Sequence, residues 1–283
     1  MKKAIFVSLL IGVLTPCLRG QEYTPPLVVG LAPQSDTLFS PLLADPRELQ
    51  FAMRVAFPQG QGSVAEVAIG HYYGIYRWAL PGDVGYMQLN IGGGIFPRFD
   101  ATTSHDLQVI DFYGNLPVDI RIGKWSGRFM FYHVSSHLGD DYIRDHDLGN
   151  DTSTDKNSWN SLRSIVSYDA CAALRLYGGY TYNLAAYPVQ QDKEAYQGGA
   201  EIHFPTFAQG RAQVYWANDL QWWQRTNRQT QYNSQFGIKT GKDATQGRGI
   251  SYFIEYTTGP EYYGQFFTAN ESRIGIGVKF DIS

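Results

Sequence analysis

The chain has 283 residues, a formal net charge of -3, and 43% hydrophobic residues with 15% aromatic. Mean hydropathy is only -0.28, and beyond residue 20 no apolar run reaches the roughly 18 residues a membrane-crossing helix needs, so a helical membrane protein is excluded. The mild acidity gives no basis for nucleic-acid binding.

Taken in order, the chain opens with the cationic pair Lys2-Lys3 and an apolar stretch, Ala4 to Leu14, too short to span a bilayer. Small and polar residues follow near Gly20-Gln21, the pattern of a secretory signal peptide over residues 1–20. Residues 21–48 are rich in proline and lack periodicity, which predicts a periplasmic arm or plug. From residue 49 to 283 the pattern becomes alternation at period two, the mark of strands with one apolar and one polar face.

Leu49, Phe51, Met53, Val55 and Phe57 share a face against Gln50, Ala52, Arg54 and Ala56. A less regular strand follows over Val64 to Trp78, then one over Met87 to Ile95. In the fourth, Ile110, Phe112, Leu116, Val118, Ile120 and Ile122 oppose Asp111, Tyr113, Asn115, Asp119 and Arg121, and Pro117 predicts a bulge or a rim position. Further strands are expected over Arg128 to His137, Trp159 to Ser167, Leu174 to Tyr177, Ala200 to Phe204, Ala212 to Asp219, Tyr232 to Lys239 and Ile250 to Tyr256. The last, Arg273 to Ile282, alternates without a miss. The expectation is an all-β fold, a transmembrane antiparallel β-barrel of about 12 strands.

Short connections such as Gly123 to Ser126 and Pro205 to Gly210 read as periplasmic turns, and long ones such as Leu138 to Ser158 and Gly259 to Glu271 as extracellular loops. The short first hairpin, Pro58 to Gly62, breaks that rule. Charges of both signs fall on the inward face, among them Arg54, Glu66, Asp119, Arg175, Glu201, Glu255 and Arg273, so the bore is expected to be filled by ion pairs. The strand alternation, the signal-like start and a fitting composition together predict that the chain lies in the bacterial cell outer membrane. Its expected partners are outer-leaflet lipid, the barrel-assembly machinery and, as one option, a second copy in a homodimer.

One group of residues suggests chemistry. On the strand over Arg128 to His137, His133 and Ser135 share the lipid-side face with Phe129 and Phe131. Two residues along a strand span about 6.6 Å, within reach for an imidazole leaning toward a hydroxyl. That is the nucleophile and base pair of acyl transfer. Asn160, on the outward face of the next strand, can sit opposite His133 and orient its ring. The polar pair also suits the membrane interface without any chemistry. The acidic loop, with Asp140, Asp141, Asp145, Asp147, Asp151 and Asp155, suits calcium or simple solvation. His133, His137 and His146 lack the tight spacing of a transition-metal site.

Several long motifs carry a family resemblance over nearly the whole chain. Ser40-Pro41-Leu42-Leu43-Ala44-Asp45-Pro46-Arg47, Tyr132-His133-Val134-Ser135-Ser136-His137-Leu138-Gly139-Asp140, Tyr177-Gly178-Gly179 and Gly264-Gln265-Phe266-Phe267 resemble domain-of-unknown-function family twelve-oh-seven. That label supplies no activity. A second resemblance, to outer-membrane phospholipase A, rests on His133-Val134-Ser135, Ser158-Trp159-Asn160 and Arg273-Ile274-Gly275-Ile276-Gly277-Val278. That family is a twelve-stranded barrel with a His-Ser-Asn triad on its lipid face. The resemblance implies Ser135 as nucleophile, His133 as base and Asn160 as orienter. Ser136 and His137 stand where that family has Asn-Gly, and its following arginine is missing, which departs from the pattern that builds its calcium and oxyanion region. Asp140 and Asp141 are the expected calcium ligands if the metal is used. Lipid A deacylase barrels share only His-x-Ser. The alternatives are a non-catalytic structural or adhesive barrel and a narrow channel.

Overall fold

The computed structural model describes residues 29–33, 37–102, 104–148, 156–188, 192–245 and 248–282. The expected signal peptide, and Asp151 and Asp155 of the acidic loop, lie outside the described residues.

Among the described residues, twelve long strands form a closed antiparallel barrel. They are β2 (Phe51–Pro58), β3 (Val64–Ala79), β4 (Tyr86–Asp100), β5 (Leu107–Ile122), β6 (Trp125–Leu138) and β7 (Lys156–Cys171), then β8 (Leu174–Tyr187), β9 (Glu194–His203), β10 (Ala212–Trp223), β11 (Thr230–Gly241), β12 (Gly249–Pro260) and β13 (Asn270–Asp281). Each pairs with its sequence neighbour, and β13 closes on β2. A two-residue strand, β1 (Gly30–Leu31), pairs with Arg77 and Tyr76 of β3. One short helix, α1 (Asp140–Asp145), follows β6.

Alternation sets the two faces of the wall. On β13, Ile274 and Ile276 are 54% and 58% exposed, whereas Arg273 and Lys279 are 2% and 5%. A soluble sandwich would hide the isoleucines, and this chain shows them to the outside along every turn of the wall. The apolar belt runs through Met53, Ile91, Leu116, Phe129, Val166, Leu220, Phe236 and Ile254. Such an exterior needs an apolar solvent.

Strand limits differ from the sequence expectation where side chains carry no alternation signal. β9 begins at Glu194, because Gln197, Gly198 and Gly199 pair through backbone and need no apolar side chain. The β5–β6 turn is only Gly123-Lys124, with Gly123 at φ 55°, so Trp125 and Ser126 belong to the strand. Pro117 lies neither at a bulge nor at a rim. It faces inward within β5, opposite Met130 of β6. On its other side the β4–β5 ladder passes from Leu89↔Val118 to Gly92↔Asn115 in one register, so the missing proline N–H falls in a gap.

The bore is packed. Leu38, Phe39, Leu42, Ala44, Asp45, Glu48 and Leu49 are buried inside the barrel. The Phe39 amide donates to Asp119, the Leu43 amide donates to Glu201, and Arg175 donates to the Ser40 carbonyl at 2.9 Å. The inward charges pair: Arg54 with Glu255 at 3.0 Å, Arg273 with Glu66 at 2.7 Å, Arg128 with Asp119 at 2.8 Å and Arg175 with Glu201 at 3.2 Å. Buried charges out of water persist only when compensated in this way. Burial alone would raise the Asp45 carboxyl, but Arg163 at 2.6 Å, the Arg47 amide and Gln197 hold it below its ordinary 3.8.

The segment after β12 folds inward as a cap. Burial would raise Glu261, yet Arg273 and Arg98, the latter at 2.8 Å, hold it below its ordinary 4.5. The Tyr262 hydroxyl donates to Glu66 at 2.6 Å, and the Gly264 amide donates to Asp111 at 3.1 Å. Arg47 joins the two segments. It pairs with Asp111 and lies 4.4 Å from the Tyr263 ring centre and 4.8 Å from that of Phe96.

Candidate active site on the outer face

β6 and β7 place the site. Their antiparallel register sets His133 directly across from Asn160 and Ser135 across from Ser158. Inward positions on β6 are taken by Tyr132, Val134 and Ser136, all buried, so His133, Ser135 and His137 point outward. His133 is fully on the exterior, and Ser135 and His137 are half-buried beside it.

Two hydrogen bonds organise the patch. His133 Nδ1 and Asn160 Oδ1 lie 2.8 Å apart. An amide oxygen only accepts, so with Asn160 in this orientation His133 carries its proton on Nδ1 and leaves Nε2 as the basic nitrogen. Ser135 Oγ lies 2.7 Å from His137 Nε2. The structure therefore brings His133 and Asn160 together as the register predicts, and engages the Ser135 hydroxyl with His137. Sequence reasoning weighed His137 only as a metal ligand. The signal that points to it is the same period of two that places Ser135 with His133.

The neighbouring strand β5 completes the surroundings. Gly114 sits opposite His133, and a Cβ built there would meet nothing within 4 Å, so the face beside the imidazole is open. Phe112 sits opposite Ser135, with its ring edge-on to His137 at 5.9 Å between centres. Together these side chains offer a hydroxyl, two imidazoles and an orienting amide on one apolar surface.

Among the described residues, Asp140 and Asp141 are not gathered with a third His, Cys, Asp or Glu side chain into a metal-holding group. They lie in the first turn of α1, and Asp141 is engaged by Arg144 at 2.7 Å. No group of three or more His, Cys, Asp or Glu side chains among the described residues is placed to hold a metal ion, whereas calcium takes six to eight oxygens.

The closed twelve-stranded wall with an apolar exterior and a polar, filled interior defines an outer-membrane-type β-barrel. The chain belongs to the family described as Protein of unknown function (DUF1207), which matches residues 22–282. Comparison with curated proteins finds no match. Among solved structures, outer membrane phospholipase A from Escherichia coli is 11% identical with a TM-score of 0.55, covering 82% of this chain and 92% of that one. The Salmonella typhi outer membrane phospholipase dimer with bound calcium is also 11% identical with a TM-score of 0.55, covering 95% and 97%. The KdgM porin in complex with disordered oligogalacturonate is 11% identical at a TM-score of 0.46, covering 83% and 99%. At such identities the two phospholipase likenesses establish the fold alone.

Proposed function

We propose that this protein is a bacterial outer-membrane esterase that hydrolyses acyl esters of membrane lipid at the Ser135 patch on its outer wall. The observation that carries the reading is the pair of hydrogen bonds, His133–Asn160 and Ser135–His137, on one exposed apolar face. Polar side chains facing lipid are costly and tend to be functional. The likeness to two phospholipase barrels supports the class of substrate.

In this reading Ser135 Oγ attacks the ester carbonyl carbon and forms a new C–O bond. Its proton passes to a histidine nitrogen, and the imidazolium returns that proton to the departing alcohol. Water then attacks the acyl-serine and gives its proton to the same histidine, which returns it to Ser135 Oγ as the acyl–oxygen bond breaks and the fatty acid leaves. His133 is the base, because Asn160 fixes its tautomer and leaves Nε2 free. Among the described residues no side chain orients the His137 ring in this way, and His137 holds the resting hydroxyl until Ser135 turns about χ1 toward His133. Asn160 is neutral, so it orients the ring but stabilises an imidazolium less than a carboxylate would.

The same proposal places outer-leaflet lipid as the partner, with insertion by the barrel-assembly machinery and a homodimer like that of the Salmonella typhi protein. The test is fatty-acid release from phospholipid micelles by refolded protein. Ser135→Ala and His133→Ala should each lower the rate by about 10³-fold or more, with the barrel still heat-modifiable on gels. His137→Ala should keep activity. The reverse pattern would move the base to His137, and no hydrolysis by the wild type across phospholipid and lipopolysaccharide would leave a non-catalytic barrel. A chelator arm tests the calcium of the neighbour directly.

A further inference from the structure

Between the lumenal segment and the cap the barrel encloses a cavity of about 50 Å³, lined by Asp45, Arg47, Asn115, Trp159, Arg163 and Arg225 among others. Most of its charges are matched: Asp45 with Arg163, Arg47 with Asp111, and Glu261 at its edge with Arg98. Arg225 is the exception. It lies in the turn Gln224–Thr226 after β10, and no carboxylate among the described residues pairs with it.

The guanidinium is held by rings instead of acids. Its carbon lies 4.4 Å from the Trp159 ring centre, 4.5 Å from Trp223 and 5.1 Å from Phe267. Nε and Nη1 are sealed from solvent and donate to nothing. Burial pushes the group down from its ordinary 12.5 to about 10, and Arg47 adds a like charge nearby, partly offset by Tyr132 and Tyr113. Further cavity groups are also unsatisfied: Arg47 Nε and Nη1 and the Trp159 Nε1–H, all donors, and Asn115 Oδ1, an acceptor. Native interiors leave few such atoms, and several around one cavity point to something that satisfies them. An aromatic face satisfies part of a cation's charge, but it takes up none of the in-plane N–H groups.

We propose that this cavity is a binding site for a small free oxyanion, a carboxylate or phosphate of about the size of acetate or inorganic phosphate, with Arg225 as its charged anchor. One of the unsatisfied Arg225 groups, Nε–H or Nη1–H, and the Trp159 indole N–H donate to the anion oxygens, a bridging water takes up the other, and Asn115 Oδ1 accepts from a protonated oxygen or a bridging water. The cavity holds a few waters or one such ion and is too small for a lipid headgroup with its glycerol. The site is independent of the Ser135 patch, which lies on the other side of the wall.

The test uses the full chain refolded in detergent, titrated with inorganic phosphate and with acetate at fixed ionic strength, chloride serving as the balancing ion. Trp159 and Trp223 flank the anchor, so tryptophan fluorescence reads occupancy, and the thermal midpoint reads stabilisation by mass action. The expected result is a saturable change in both signals with at least one of the two ions. Arg225→Gln should abolish it and Arg225→Lys should weaken it, with lipid hydrolysis unchanged in both. A response no different from chloride, or a saturable response that survives in Arg225→Gln, overturns the proposal. If Arg225→Gln does not refold, the wild type with selenate decides: an anomalous density peak within hydrogen-bond distance of Arg225 supports the site, and none there refutes it.

Discussion

At the scale of single residues, strand register decides what can meet. His133 reaches Asn160 because antiparallel pairing puts them opposite one another on the outer face. That placement was legible in the sequence, since a period of two on both strands leaves no other face for either side chain. The Ser135–His137 bond was not legible. Ser135 lies two positions from each histidine, so the choice between them is a matter of side-chain rotamer and of room beside Phe112, which periodicity does not encode. Gly114 offers a clean probe of this surface, because its outward direction is empty. Gly114→Phe should cover His133 and lower lipid hydrolysis by tenfold or more in a micelle assay. As an outward substitution it should shift stability by no more than about 0.5 kcal/mol, read by thermal unfolding. An unaffected rate would move the reacting patch away from His133.

At the scale of elements, the strands with complete alternation, such as β13, were readable to within three residues at either end, and those built from small or polar residues, such as β9, were not. Backbone pairing holds β9 with Gly198 and Gly199 in it, and no hydropathy pattern marks them. The cap after β12 was invisible for a different reason. Its place is set by close approach rather than by composition: a Cβ at Gly264 would come within 2.6 Å of the Ser136 Cβ and 2.8 Å of the Trp159 ring. Gly264→Ala should therefore overpack this contact and cost about 1–3 kcal/mol, seen as a lower thermal midpoint and faster proteolysis of the cap. The motif around Tyr132 to Asp140 also divides by element face. Its inward members, Tyr132 and Ser136, serve the cap and lumen, and only its outward members belong to the candidate site.

At the scale of the whole molecule, the filled interior sets the response to acid. Asp45 and Glu261 are both held below their ordinary values of 3.8 and 4.5, so each stabilises the fold fully above that value and loses the contribution as pH falls through its lower folded value. Burial raises Glu48 on the same segment, which works in the opposite direction, so substitutions at the other two are the sharper probes. The thermal midpoint should fall steeply only below about pH 4. Asp45→Asn and Glu261→Gln should lower the plateau at neutral pH and flatten that acid limb; an acid limb unchanged in both would remove these carboxyls from the account. The route of the N-terminal chain carries a wider consequence. Residues Gly30–Leu31 lie in the wall beside β3, Pro33 comes within 2.8 Å of a Cβ built on Gly74, residues 37–49 lie within the bore, and Phe51 is again in the wall beside the same strand. The filling is thus a stitch and not a stopper, sewn into one seam at both ends. Pressure, voltage or ligand cannot expel it as a free body. While the β1–β3 and β2–β3 pairings hold, this filling can only swing on its two attachments and cannot leave the barrel.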